Sequence, residues 1–190
     1  MTPPVSDYAI TERFKNAIEW LLPHEAVFQK GHYGDYNFVV AECVPGDGGG
    51  VTKFGVDQRS HPNVNIRALT FSQAVMIYLH SYWLPCRAES FPPGYGEVMF
   101  DIRVNGGNGP ELLQAGLAAI GQDVGAIDGV VGPKTKLAMV AAGKAGLKAF
   151  LQQREARYNH LADNNHAFED FREGWLNRNH DLAKFVGVTL

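Results

Sequence analysis

The sequence predicts an α+β fold that is mostly helical, with one small β-hairpin element. Three observations carry this. Apolar residues recur at helical spacing in segment after segment of the 190-residue chain. A capping box, Thr70-Phe71-Ser72-Gln73, opens one of those segments. One long stretch, about 24–67, departs from the pattern: it is rich in Gly, Asp, Asn and Pro and holds two short β-prone runs.

Taken in order, Ile10, Phe14, Ile18, Leu21 and Leu22 mark a first helix, with Leu22 expected as its last residue because Pro23 disfavours helical backbone before it. Glu25 then falls at the helix end. Tyr36-Asn37-Phe38-Val39-Val40 and Val51-Thr52-Lys53-Phe54-Gly55-Val56 read as two strands of a hairpin sheet, with glycines between them for a tight turn. After the capping box, with Leu69 and Ala74 as its staple pair, a helix carries Val75, Ile77, Tyr78 and Tyr82 and ends near Trp83-Leu84-Pro85. A break at Pro92-Pro93-Gly94 precedes a helix over Val98–Val104, stopped by Asn105-Gly106-Gly107. Leu112, Leu113, Leu117 and Ile120 mark the next. Asp128-Gly129-Val130-Val131-Gly132 is a turn, and Pro133 suits the first position of a helix. Leu147, Phe150, Leu151, Tyr158 and Leu161 mark a long helix, and Phe168, Phe171, Trp175 and Leu176 a last one.

Apolar residues at 45% and charged residues at 19% are ordinary for a globular chain and exclude disorder. The net charge of −3 and the absence of a Lys/Arg run exclude a nucleic-acid footprint. Apolar runs such as Phe38-Val39-Val40-Ala41 are far short of the ~20 residues that span a bilayer. Cys43 and Cys86 permit one bridge without demanding it. Seven histidines without paired spacing give no metal motif, so no metal and no cofactor are expected.

The chemistry concentrates around Glu25, Asp47 and Thr52. Asp47 lies inside Pro45-Gly46-Asp47-Gly48-Gly49-Gly50, and Thr52 follows shortly after. One carboxylic acid, one carboxylate and one hydroxyl about a glycine-rich turn are the minimum set for splitting a glycosidic bond with a held water. In that scheme Glu25 is the acid and must hold its proton near neutral pH, which apolar neighbours such as Trp20, Ala26, Val27 and Phe28 favour. Asp47 and Thr52 hold the water, with Asp35, Glu42 and Asp57 as rival carboxylates. Phe54, Tyr78, Tyr82, Trp83 and Asn105 are candidates for lining a sugar groove, although core packing explains Tyr78 and Trp83 as well. His24 reads as a structural hydrogen-bonding residue, and Asp128 as part of a turn.

Several stretches together resemble glycoside hydrolase family 108, N-acetylmuramidases of the lysozyme superfamily with a C-terminal peptidoglycan-binding region. They are His24-Glu25-Ala26-Val27-Phe28, Asp47 through Val56, Leu69 through Pro85, Phe100 through Gly107, Asp128 through Thr135, and Arg154–Tyr158 with Gly174-Trp175-Leu176-Asn177-Arg178. The likeness covers about residues 10–185. Two departures stand beside it: Ala26-Val27 replaces the family's Gly-Gly, and the segment Gln29–Val44 is longer than the family's loop.

The resemblance implies a lysozyme-like fold, with a muramidase region over 8–97 and a helical peptidoglycan-binding region over 98–187 packed as one compact unit. It implies a lysozyme-type peptidoglycan hydrolase that cleaves the β-1,4 bond between N-acetylmuramic acid and N-acetylglucosamine. Phage endolysins and cell-wall lytic effectors are the settings for such an enzyme. A lytic transglycosylase, or a non-catalytic wall-binding or secretion-associated module, are the alternatives. The expected partner is peptidoglycan glycan strands, bound by a monomer that neither spans a membrane nor binds nucleic acid. The start Met1-Thr2-Pro3-Pro4-Val5-Ser6-Asp7 has no basic or apolar signal. Release to periplasmic or cell-wall peptidoglycan through a holin or a secretion system is therefore expected.

Overall fold

A computed structural model describes residues 10–43 and 50–190. Asp47 and the glycine-rich run around it, up to Gly49, lie outside the described residues. The chain divides into two compact units, one ending at Trp83 and one spanning Leu84–Leu190.

The first unit is built on α1 (Glu12–Glu25). Thr11 caps it, its hydroxyl accepting the Phe14 N–H at 3.1 Å. Ile10 therefore stands outside the helix, 38% exposed, and is not part of the apolar stripe. Phe14, Ile18, Leu21 and Leu22 are buried, with the Phe14 ring 5.4 Å from that of Trp83. Pro23 does not end the helix. It withdraws one N–H, but Ala26 N–H still reaches the Leu22 carbonyl at 2.9 Å, so the last turn closes across it.

The sheet is smaller and differently placed than the sequence suggests. It has three antiparallel strands in the order β1 (Glu42–Cys43), β2 (Val51–Lys53) and β3 (Val56–Asp57). The expected strand over Tyr36–Val40 is a 3-10 turn over Tyr36–Phe38, because Asp35 accepts the Asn37 N–H and winds the backbone there. Only one bridge, Phe28 to Val39, remains from that run. The expected strand over Val51–Val56 folds back on itself at Phe54-Gly55, making β2 and β3.

The capping box opens α2 (Phe71–Tyr78) as expected: Thr70 Oγ1 accepts the Gln73 N–H at 3.3 Å, and Gln73 Oε1 accepts the Thr70 N–H at 3.0 Å. A π-type turn over Leu79–Trp83 continues it.

The second unit surrounds α3 (Tyr95–Val104), whose residues from Tyr95 to Ile102 are all buried. A helix buried on every side must neutralise its polar groups. Asp101 meets Arg154 at 2.6 Å and Arg178 at 2.6 Å. Burial alone would raise its pKa, but the two guanidinium groups outweigh that and hold it below the usual carboxylate value. α4 (Gly109–Ala119) packs on α5 (Pro133–Asn164) so closely that a methyl on Gly116 would stand 2.8 Å from the Ala149–Phe150 backbone.

α5 starts at Pro133 as expected and breaks at Gly143, where φ is 51° and ψ is −130°. Tyr95 Oη donates to the Gly143 carbonyl at 2.7 Å. α6 (Arg172–Phe185) closes the unit, Asn179 donating to the Leu151 carbonyl at 3.1 Å.

The turn before α5 is organised by one side chain. Gln114 Nε2 lies 3.0 Å from the Ala126 carbonyl, 3.0 Å from Asp128 Oδ1 and 3.1 Å from the Val130 carbonyl. Its Oε1 accepts from Asp128 N at 3.1 Å and Gly129 N at 2.8 Å. Asp128 is thus a turn residue, and the Gln114 bond holds its carboxyl below the usual range.

Candidate active site

Glu25 is the last residue of α1 and is half-buried. The Phe54-Gly55 turn lies against it. Both turn residues have positive φ, 55° and 73°, the geometry that lets two residues join two twisted strands. At Gly55 this is also a matter of space. A methyl there would stand 2.5 Å from Tyr78 Oη, 2.8 Å from Glu25 Cβ and 3.0 Å from Glu25 Oε2.

Phe54 occupies the left-handed region without glycine's freedom, at a cost of about 1–2 kcal/mol. Its buried ring and a bond from Tyr78 Oη to its carbonyl at 2.9 Å hold it there. The end of α1, the hairpin turn and the end of α2 therefore form one packed corner.

An open cleft of about 140 Å³ lies over this corner, lined by Glu25, Val27, Val40, Glu42, Thr52, Lys53, Phe54 and Gly55. Val40 N–H donates to the Val27 carbonyl at 2.9 Å, so these two valines form one apolar wall. Glu42, Thr52 and Asp57 stand directly opposite one another across the three strands. Residues so paired share one face of a sheet.

Of the predicted catalytic residues, Glu25 and Thr52 share the cleft. Asp47 lies outside the described residues. Among its rivals, Asp35 caps the 36–38 turn. Asp57 accepts the Ser60 N–H at 2.8 Å; burial would raise its pKa, but bonds from Ser60 and Arg59 and the His61 charge hold it low. Glu42 alone of the three lines the cleft.

Several substrate-facing assignments need correction. Phe54 and Tyr78 are 2% and 1% exposed, so their rings belong to the core and offer no face to a sugar. Trp83 is buried as well. Tyr82 is half-buried, its ring 5.5 Å from that of Tyr78. Asn105 caps α3, donating to the Asp101 carbonyl at 2.9 Å, and lines a separate small cleft of the second unit beside Tyr158 and Trp175.

Of the apolar neighbours expected about Glu25, Val27 lines the same cleft, while the Phe28 ring packs on Tyr33 and Tyr36 and the Trp20 ring on His24. His24 Nδ1 donates to the Trp20 carbonyl at 2.9 Å, the structural role anticipated for it. What sequence reasoning missed is the part played by Gly55 and the Tyr78 hydroxyl. The adjacent Phe54-Gly55 pair was the available signal, as a two-residue turn rather than strand. Cys43 and Cys86 are not joined in a disulfide. Among the described residues no cluster of three His, Cys, Asp or Glu has metal-binding proximity, and no helix is long and apolar enough to cross a membrane.

Comparison with known proteins follows the same lines. Residues 41–107 match Glycosyl hydrolase 108, and residues 96–180 match Predicted Peptidoglycan domain. No curated protein matches the sequence. The fold is shared with the structure of Brucella abortus SagA, at a TM-score of 0.66 and 21% identity, over 91% of this chain and 92% of that one. The chain is thus mostly helical with a small antiparallel sheet, and it carries a region similar to glycosyl hydrolase 108 followed by one similar to a predicted peptidoglycan domain, a pairing that supports a peptidoglycan hydrolase.

Proposed function

We propose that the chain is an N-acetylmuramidase that hydrolyses the β-1,4 bond between N-acetylmuramic acid and N-acetylglucosamine, with Glu25 as general acid. The observation that carries this reading is the corner at the end of α1. It fixes the Glu25 carboxyl beside the Gly55 backbone, in the same open cleft as the Thr52 hydroxyl.

Glu25 gives its proton to the oxygen leaving C1 of the muramic acid, and the C1–O bond breaks. Thr52 and Asp47 hold a water on the opposite face of the ring. The water oxygen bonds to C1, its proton passes to Asp47, and the anomeric centre inverts. Asp47 enters on the order of residues in the sequence and Thr52 on its place in the cleft. The biological setting we attach to this chemistry is lysis, as a phage endolysin or a delivered effector. Lysis of cells that express the chain together with a holin tests that setting, and intact cells would refute it.

Reducing-end release from purified peptidoglycan tests the residue roles. Glu25→Gln is expected to lose about 10²–10⁴-fold in rate, the usual worth of a positioned acid. Thr52→Val, which suits a strand, is expected to fold normally and lose at least about tenfold. A folded Glu25→Gln protein with wild-type release would overturn the assignment.

A further inference from the structure

The second unit holds a larger cavity than the one over Glu25. Its volume is about 370 Å³, within the range of small-ligand sites. Phe91, Met99 and Ile102, all buried, give it one apolar wall. Its rim carries Arg87, Arg103 and Lys136, all exposed, and beside it among the described residues stands the carboxylate of Glu111, whose Oε1 lies 3.3 Å from where a methyl on Gly129 would stand. Three cations against the carboxylate of Glu111 leave the rim net positive on a chain of net charge −3, a local reversal of sign. Such a site favours a ligand that is aliphatic along its length and bears carboxylates.

The backbone supports the placement of one rim residue. Arg87 sits at φ 58° without being glycine. Its carbonyl accepts from Ser90 N at 2.8 Å and Ser90 Oγ at 2.8 Å, which locks the turn. The Gln114 bonds fix the turn from Ala126 to Val130, and Gly129 and Val130 of that turn line the cavity.

We infer that this pocket binds the peptide stem of peptidoglycan, its aliphatic side chains against the apolar wall and its carboxylates on the Arg87, Arg103 and Lys136 rim. The inference rests on peptidoglycan being the ligand of this chain. The glycan backbone is a poor occupant, since it is neither apolar nor richly charged.

The test compares binding of two soluble probes to the full chain by calorimetry. One is the disaccharide N-acetylglucosaminyl-N-acetylmuramic acid bearing a tetrapeptide; the other is the same disaccharide without the peptide, which keeps only the lactyl carboxylate. The peptide-bearing probe should bind at least about tenfold more tightly, and less so as salt screens the rim. Arg87→Gly relieves the left-handed backbone while removing the charge, so it should fold as well as wild type. Combined with Lys136→Gln it should lose most of the peptide-dependent gain.

Equal binding of the two probes by wild type, or an undiminished gain in the folded double variant, would overturn the inference. Hydrolysis is read separately. Peptide-dependent binding lost in the variant supports the pocket even if no reducing ends are released. Hydrolysis without peptide-dependent binding removes the pocket and leaves the muramidase reading intact.

Discussion

Replacing Gly55 by alanine perturbs the corner at its tightest point. Two separate costs follow. An alanine at φ 73° bears the left-handed penalty, about 1–2 kcal/mol. Its methyl also enters a space where Tyr78 Oη would be 2.5 Å away and Glu25 Cβ 2.8 Å away. Overpacking of this kind costs about 1–3 kcal/mol more. Together they give about 2–5 kcal/mol, a fall in Tm of roughly 4–20 °C at the ~2–4 °C per kcal/mol of a chain this long.

To restore ordinary contact, Glu25 must move by roughly 0.5–1 Å, and displacement of a reacting group by ~1 Å can cost about 10²-fold. The expected rate of reducing-end release is therefore about 10- to 100-fold lower. Gly34→Ala is the control. Gly34 has φ 84° but nothing within 4 Å of a built methyl. It should lose only the backbone term, about 1–2 kcal/mol, and keep its activity within about twofold. The assay is thermal unfolding of both variants alongside release from purified peptidoglycan. A Gly55→Ala protein that is no less stable than Gly34→Ala and cleaves at the wild-type rate would refute the corner as the device that positions Glu25.

Further outcomes are expected at three residues. Tyr78→Phe removes the bond that holds the Phe54 carbonyl, and should cost about 1–3 kcal/mol with a loss of activity, read by denaturant unfolding and reducing-end release; an unchanged midpoint would show that the ring alone holds the turn. Asp101 binds a proton less readily folded than unfolded, so its stabilisation is fully present above about pH 4 and is lost as pH falls below that; wild type should therefore unfold on acidification from there. Asp101→Asn should be about 3–5 kcal/mol less stable at pH 7, with a flatter acid profile, as circular dichroism across pH would report. Gln114→Ala should free the turn from Ala126 to Val130, seen as faster amide exchange at Asp128 and Gly129 with α4 still helical; unchanged exchange would show that the turn stands by itself.

The helices were legible because their signals are local. The Thr70–Gln73 capping box, Pro133 at a helix start and the apolar stripe of α1 each act within a turn or two of chain. Pro23 misled because its rule weighs a missing donor and a clash, whereas the helix closed its last turn through Ala26. The sheet was less legible. Asp35 turned a β-prone run into a 3-10 turn, and Phe54 took a conformation for which its residue type gives no licence. That second event depends on Tyr78, 24 residues away, whose hydroxyl satisfies the Phe54 carbonyl. The place of Glu25 at the end of a helix was legible from its neighbours in the chain, but the wall beside it was not. Val40 reaches it only because Phe28 and Val39 bridge the ends of an extended loop. Aromatic residues proposed for sugar stacking failed at Phe54 and Tyr78, because aromatic composition alone does not separate a groove from a core.

The most direct measurement is mass spectrometry of the fragments that wild type releases from purified peptidoglycan in ¹⁸O-water. Hydrolysis with Glu25 as acid and a held water predicts muropeptides ending in reducing N-acetylmuramic acid, with one ¹⁸O at C1. Fragments ending in a 1,6-anhydro sugar with no label would contradict it and make the chain a transglycosylase.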